Sequence, residues 1–172
     1  MLNDKEKVLE DKMLLRFSEI TKYEQGTVFS LLSHSFAKIL DDGLEEKIKQ
    51  LDREIFGNSD TVGACAFIST LNDKLVGMAS WDPRQGPEIG IIGYNCILPE
   101  YQGRGFGKTQ IKEILKRLKN QRFKKAFVRT GGHLFFIRAQ NMYLACGFKE
   151  SRRYSTGDQP GYGTIDYEIE LK

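Results

Sequence analysis

The feature that most constrains this chain is a glycine-rich run between a predicted strand and a predicted helix. The run reads Gln102-Gly103-Arg104-Gly105-Phe106-Gly107. An apolar stretch over 91–98 precedes it, and helical periodicity over 108–120 follows it. A turn at this place presents backbone N–H groups that lack partners within the helix, together with the positive end of the helix dipole. The run therefore predicts a diphosphate site, to which Arg104 and Lys108 add positive charge.

Spacing separates this turn from two other phosphate-binding loops. The nucleoside-triphosphate loop ends in Gly-Lys-Ser/Thr, as Gly107-Lys108-Thr109 does, but its first glycine would have to stand at Gln102. The dinucleotide fingerprint fails because Lys108 occupies the position of its third glycine. The residues therefore disfavour both a triphosphate enzyme and a Rossmann-type dinucleotide domain.

Two motifs in a fixed order carry a resemblance to a known family. The turn fits the pattern Gln/Arg-x-x-Gly-x-Gly/Ala through Gln102, Gly105 and Gly107. Further along, the pattern Ala-x-x-x-Tyr-x-x-x-Gly-Phe is met by Ala139, Tyr143, Gly147 and Phe148. In these motifs the chain resembles the GNAT family of N-acetyltransferases, over residues 14–171.

The resemblance implies an α/β fold of GNAT type. Such a fold has a mixed, mostly antiparallel sheet flanked by helices, with a splayed pair of parallel strands that holds the coenzyme. The strands over 91–98 and 124–129 are expected to form that pair. The hydrophobic pattern by itself predicts the order β-α-α-β-β-β-α-β-α-β in one domain, residues 1–172.

The same pattern predicts bounds for the individual elements. Strands are predicted over 14–17, 64–70, 74–81, 91–98, 124–129 and 165–171. Helices are predicted over 21–39, 44–57, 108–120 and 135–146.

The resemblance further implies a reaction. The chain is expected to transfer an acetyl group from acetyl-CoA, a co-substrate, to a primary amine by direct attack in a ternary complex. It implies that the backbone amides of Cys96, Ile97 and Leu98 hold the pantetheine arm, and that residues 102–108 hold the pyrophosphate. The position where many members carry a coenzyme-contacting Asn is here Phe136, which is a departure from the family pattern.

The catalytic candidates have structural alternatives. Tyr143 occupies the family's general-acid position, although the periodicity of its helix by itself favours a core aromatic. The general base is expected to be Glu88, where several members carry a carboxylate, with His133 and water as alternatives. Glu88 is equally consistent with an exposed loop carboxylate, and His133 with a residue that caps the next helix.

Composition excludes several classes of function. The net charge is +3, and the excess lies mainly over 112–125, which is typical of a solvated helix face rather than of a nucleic-acid surface. The apolar runs are too short for a membrane span, and the first residues lack a signal peptide's apolar stretch, so a cytoplasmic protein is expected. Cys65, Cys96 and Cys146 lack metal-ligand spacing, which predicts buried free thiols and no metal site.

The acceptor is the least constrained part of the hypothesis. A small-molecule or peptide amine is expected, with no nucleic-acid or membrane partner, for a monomer or a homodimer. The acidic residues Asp41, Asp42, Glu45 and Glu46 favour a cationic amine, or they form a solvated interhelical loop. A CoA-binding sensor without turnover, on the same fold, is the alternative function, and release of free thiol distinguishes the two.

Overall fold

The computed structural model describes residues 3–6, 15–155 and 163–172, so Leu14, where the first strand was predicted to begin, lies outside the described residues. The strands are β1 Leu15–Glu19, β2 Ala66–Leu71, β3 Lys74–Asp82, β4 Ile89–Ile97, β5 Lys125–Gly131, β6 Lys149–Tyr154 and β7 Thr164–Glu170. The longer helices are α1 Thr27–Ser35, α2 Asp42–Gly57, α3 Phe106–Asn120 and α4 Ile137–Ala145. In the described part of the chain, no helix has both the length and the apolar character needed to cross a membrane.

The strands form one seven-stranded sheet in the order β1-β2-β3-β4-β5-β7-β6. The pairs β1–β2, β2–β3, β5–β7 and β6–β7 are antiparallel. The pair β4–β5 is parallel. A mixed, mostly antiparallel sheet with this parallel pair confirms the predicted fold class.

The backbone divides into two compact units. One comprises Met1–Ser80 with Tyr94–Gln110, and the other comprises Trp81–Gly93 with Ile111–Lys172. In the first unit, the apolar faces of α1 and α2 bury the side chains that the periodicity places inward: Val28, Leu31, Leu32, Ile48 and Ile55. Spacing of i, i+3 and i+4 brings such residues together on one side of a helix.

The first helix is shorter than the predicted span over 21–39. It begins at Thr27, because Gly26 has a φ of 101° and a backbone in the left-handed region cannot continue a helix. The carboxylate of Asp52, in α2, accepts hydrogen bonds from the amides of Gly26 (2.8 Å) and Phe29 (3.0 Å). A buried carboxylate from another helix therefore caps α1 and fixes where it starts.

β2 and β3 are joined by a turn of two residues. Leu71 pairs with Lys74, and the two residues between them, Asn72 and Asp73, have φ values of 49° and 64°. Two consecutive positive φ values are typical of a type I′ turn, whose twist matches that of antiparallel strands. The adjacent strands predicted over 64–70 and 74–81 thus form an antiparallel hairpin.

The second unit contains a strand that the sequence did not predict. β6 pairs with β7 at the edge of the sheet, and nearly all of its side chains are exposed. Its sequence is Lys-Glu-Ser-Arg-Arg-Tyr, which has no alternation of apolar and polar residues. Charged edge strands of this kind protect a sheet from pairing with other chains, and they leave no hydrophobic pattern to detect.

Candidate functional site

The glycine-rich run lies where the chain leaves β4 and enters α3. Gly103 and Gly105 have φ values of 77° and 82°, in the left-handed region that glycine adopts without strain. The helix begins at Phe106, inside the motif, rather than at the predicted residue 108. Both the amide and the hydroxyl of Thr109 donate to the Gly105 carbonyl at 3.2 Å, so Gly105 caps the helix. The amides of Phe106 and Gly107 therefore belong to the first helical turn, at the positive end of the dipole.

Positive charge is held at this turn by aromatic stacking. The guanidinium of Arg104 lies 5.0 Å from the ring centroid of Phe106 and 5.9 Å from that of Tyr101. Phe106 is buried, so it fixes one side of this arrangement in the core. A side chain built at Gly103 would meet no atom within 4 Å, which leaves that side of the turn open to a ligand.

Gln102, the first residue of the motif, is bonded to the end of β4. Gln102 donates from Nε2 to the carbonyl of Ile97 at 2.9 Å. Its side chain therefore reaches back to the last residue of β4 and ties the turn to the strand end.

The backbone groups of the three residues predicted to hold the pantetheine arm point to different edges of β4. The Leu98 amide donates to the Val76 carbonyl of β3 at 2.8 Å. The Cys96 carbonyl also lies against β3, since a Cβ on Gly77 would clash with it. Neighbouring strand residues direct their backbone groups to opposite edges, so the N–H of Ile97 faces away from β3. The Leu98 amide is already used within the sheet, and Ile97 is the residue of the three that presents its amide on the other edge.

The parallel pair is short. Its register runs from Ile89 opposite Lys125 to Ile92 opposite Val128. Within the described residues it extends no further, although β4 continues to Ile97 and β5 to Gly131.

The predicted general acid sits in a cluster of aromatic rings. Tyr143, in α4, is 3% exposed. Its ring centroid lies 5.6 Å from that of Phe148 in an edge-on arrangement and 5.9 Å from that of Tyr167. The ring is thus a packed core aromatic, and the catalytic role of its hydroxyl stays a prediction.

The two candidate bases both have structural partners. The Glu88 carboxylate is exposed and forms an ion pair with the Lys124 ammonium at 2.5 Å. Glu88 precedes the first residue of β4, whereas the glycine-rich run follows its last. His133 accepts a hydrogen bond at Nδ1 from the Phe135 amide (3.1 Å) and so caps the short 3₁₀ turn Leu134–Phe136. The role of a base stays a prediction for each.

Comparison with known proteins decides the family. The model of the acetyltransferase (GNAT) family matches residues 28–148. This chain belongs to that family. A comparison with curated proteins finds no match.

Solved structures share the fold of this GNAT protein at low identity. A Desulfovibrio desulfuricans protein described as a GNAT acetyltransferase has a TM-score of 0.74 and 17% identity, covering 92% of this chain and 98% of that chain. The Escherichia coli ribosomal-protein-S18-alanine N-acetyltransferase has a TM-score of 0.67 and 15% identity, covering 92% and 94%. A Bacillus subtilis acetyltransferase in complex with CoA has a TM-score of 0.64 and 16% identity, covering 92% and 99%. At these identities the likeness shows the fold alone.

Three of the four acidic residues that were considered for acceptor binding in this GNAT protein have local partners. Asp41 caps α2 by accepting from the Leu44 amide at 2.7 Å. Glu45 pairs with Lys49 one turn along the helix, and Glu46 pairs with Arg53 at 2.8 Å. Capping and ion pairing along one helix account for these three residues, in agreement with the solvated-loop interpretation.

The three cysteines of the GNAT domain carry thiols, as predicted, but only Cys96 is buried, while Cys65 and Cys146 are half-buried. Burial raises the pKa of the Cys96 thiol to about 11. That thiol stays protonated near neutral pH and is not an activated nucleophile.

One buried polar residue beside the glycine-rich run escaped the sequence analysis. Gln110 is 1% exposed and lies on the stripe of α3 that carries the buried Ile114 and Leu118. The sequence did contain a signal for this residue. A glutamine at i, i+4 spacing from core residues is placed on the buried face of the helix, where its polar atoms need partners.

Proposed function

We propose that this protein transfers an acetyl group from acetyl-CoA to a primary amine by direct attack in a ternary complex. The observation that carries the proposal is the turn after β4, where Gly105 caps α3 and two left-handed glycines expose the first helical turn. Backbone donors at the positive end of a helix, with no Cβ atoms in the way, suit a pyrophosphate. Membership of the GNAT family supports the same assignment.

Two groups of donors would hold the coenzyme. We assign the pyrophosphate to the amides of residues 103–107, with Arg104 and the exposed Lys108 supplying charge. We assign the pantetheine arm to the edge of β4 that faces away from β3, with the Ile97 amide as donor. The arm then pairs like an added strand, in which main-chain hydrogen bonds provide the affinity.

The chemical step needs no covalent enzyme intermediate. The lone pair of a neutral amine attacks the thioester carbonyl carbon, the C–S bond breaks, and the electron pair leaves with sulfur as a thiolate. We propose that the Tyr143 hydroxyl donates the proton that this thiolate takes up. A protonated Cys96 thiol is consistent with direct attack rather than with transfer through that cysteine.

The amine must lose a proton during the reaction. We assign the acceptor to solvent water rather than to Glu88, because the Glu88 carboxylate is exposed and held in an ion pair with Lys124. Glu88 also precedes the first residue of β4, whereas the glycine-rich run follows the last residue of that strand.

The experiment is a panel of amines incubated with acetyl-CoA, in which free thiol and acetylated amine are both measured. The proposal expects equal amounts of the two products with at least one amine. A protein that binds acetyl-CoA but releases no thiol with any amine is instead a coenzyme sensor. Gly105→Val serves as the negative control, because it alters the pyrophosphate turn and leaves Tyr143 intact.

A further inference from the structure

Gln110 bonds to three strands of the sheet from a single buried side chain. Its Nε2 atom donates to the Met78 carbonyl at 2.9 Å and to the Cys96 carbonyl at 3.2 Å. Its Oε1 atom accepts from the Ser69 hydroxyl at 2.6 Å. One amide group of α3 therefore contacts β2, β3 and β4.

Packing alone does not require an amide at this position. The neighbouring inward residues of α3 are Ile111 and Ile114, and both are completely buried. An apolar side chain of similar size would fill the same space without having to find partners for buried polar atoms. The specific contribution of Gln110 therefore lies in the groups to which it bonds.

The Cys96 carbonyl sets the direction of the next amide. The C=O of Cys96 and the N–H of Ile97 belong to one planar trans peptide, so they point in opposite directions. The donor from Gln110 keeps the carbonyl turned toward α3 and β3. The same bond therefore keeps the Ile97 N–H turned to the other edge of β4.

The following peptide is held in a comparable way. The Ile97 carbonyl accepts from Gln102, and the Leu98 amide donates to Val76. Two successive peptides at the end of β4 thus each receive a donor from a glutamine side chain. One glutamine lies in the glycine-rich run and the other lies in the helix that follows it.

We propose that Gln110 is a positioning residue for the coenzyme, which acts through the Cys96 carbonyl to aim the Ile97 amide at the pantetheine arm. The proposal rests on the proposed function, since it requires acetyl-CoA to bind along β4. A donor that is fixed before the ligand arrives costs less to order on binding, so its loss lowers coenzyme affinity. The positioning effect is confined to the pantetheine arm, because the pyrophosphate amides lie in the turn and the first turn of α3.

The test compares two ligands on one variant. Gln110→Met keeps the approximate size of the side chain and removes both donors. CoA carries the pantetheine arm, whereas adenosine 3′,5′-bisphosphate carries the nucleotide without that arm. Calorimetry should show CoA binding weakened by roughly tenfold, with the bisphosphate changed by less than about twofold. Unchanged CoA affinity overturns the proposal, and so does an equal loss for both ligands, which indicates a general structural defect.

Ser69→Ala is the matched control. It removes the partner of Gln110 Oε1 and leaves both Nε2 donors in place. The melting temperature should fall while CoA affinity stays within about twofold of the wild type. A loss of CoA affinity equal to that of Gln110→Met overturns the proposal, because it assigns the effect to the whole buried network.

Steady-state kinetics and a second variant keep the proposal testable if Gln110→Met folds poorly. Gln102→Met alters an exposed side chain, so the fold should tolerate it, and it removes the donor to the next peptide. It should raise KM for acetyl-CoA with little change in kcat, again without affecting the bisphosphate. An unchanged KM in Gln102→Met overturns the proposal, because it shows that a glutamine donor to the end of β4 does not aim the amide that binds the arm. A wild-type protein that binds no CoA overturns the proposed function itself, before any variant is measured.

Discussion

The guanidinium of Arg129 binds the carboxylate of Asp166 through two hydrogen bonds, of 2.6 and 2.8 Å. The two residues are directly opposite each other on β5 and β7. The Asp166 side chain is 6% exposed, whereas that of Arg129 is 52% exposed and stacks on the ring of Tyr154. The hydrogen bonds from Arg129 hold the pKa of the Asp166 carboxyl below its usual value.

The stability of the fold should therefore depend on the charge of Asp166. A carboxyl whose pKa is lowered in the folded state stabilises the protein above its unfolded pKa, about 3.9, and this contribution is lost as the pH falls through the folded pKa. Asp166→Asn should lower the melting temperature at pH 7. The difference from the wild type should shrink as the pH falls below about 4.

Thermal unfolding followed by circular dichroism over a pH series checks this expectation. Asp73→Asn, in the exposed turn between β2 and β3, controls for the loss of a surface carboxylate. A difference between Asp166→Asn and the wild type that stays constant at every pH would show that the ion pair does not stabilise the fold.

The glycine-rich run should tolerate no side chain at its capping glycine. Gly105→Val places a Cβ at a φ of 82° and next to the proposed pyrophosphate site. Acetyl-CoA affinity measured by calorimetry should fall by roughly tenfold or more. Gly26→Val is the matched control, since Gly26 also has a positive φ but lies at the start of α1. Both variants should lose stability through backbone strain, and the control should keep its coenzyme affinity. Equal affinities in both variants would refute the pyrophosphate assignment.

Deleting the Tyr143 hydroxyl should separate catalysis from packing. Tyr143→Phe keeps the ring contacts with Phe148 and Tyr167, so the melting temperature and coenzyme affinity should change little. If the hydroxyl protonates the leaving thiolate, kcat should fall by roughly 10²-fold, with KM for acetyl-CoA unchanged.

Tyr167→Phe is the control for Tyr143→Phe, because it deletes a hydroxyl from the neighbouring buried ring. It should retain wild-type kcat. Wild-type kcat in Tyr143→Phe as well would make Tyr143 a structural residue of the core.

Glu88 should prove dispensable for turnover. Glu88→Gln removes the ion pair with Lys124 and keeps the size of the side chain. An exposed pair of this kind contributes about 0–1 kcal/mol, so the stability should barely change. The pH profile of kcat/KM should also keep its shape. A fall in kcat of more than about tenfold, with loss of the acidic limb of that profile, would restore Glu88 as the general base.

The sequence by itself determined most of the local elements and the motif that identifies the site. Helical spacing in α1, α2 and α3 placed the correct residues inward, and the glycines of the run marked the turn. These features depend on residues within one or two turns of each other, so a linear pattern contains them. The family motifs added the parallel pairing of β4 and β5, which no local pattern specifies.

Only the tertiary structure decided which polar groups are buried and with what they pair. Asp166 alternates with apolar residues along its strand, a pattern typical of a solvent-facing position, yet it lies buried against Arg129, 37 residues away in the chain. Asp52 caps a helix 26 residues earlier, and Gln110 bonds to a serine 41 residues away. Partners at such separations meet only when the sheet and its helices have assembled, because a buried polar group takes its partner from the neighbouring element in space.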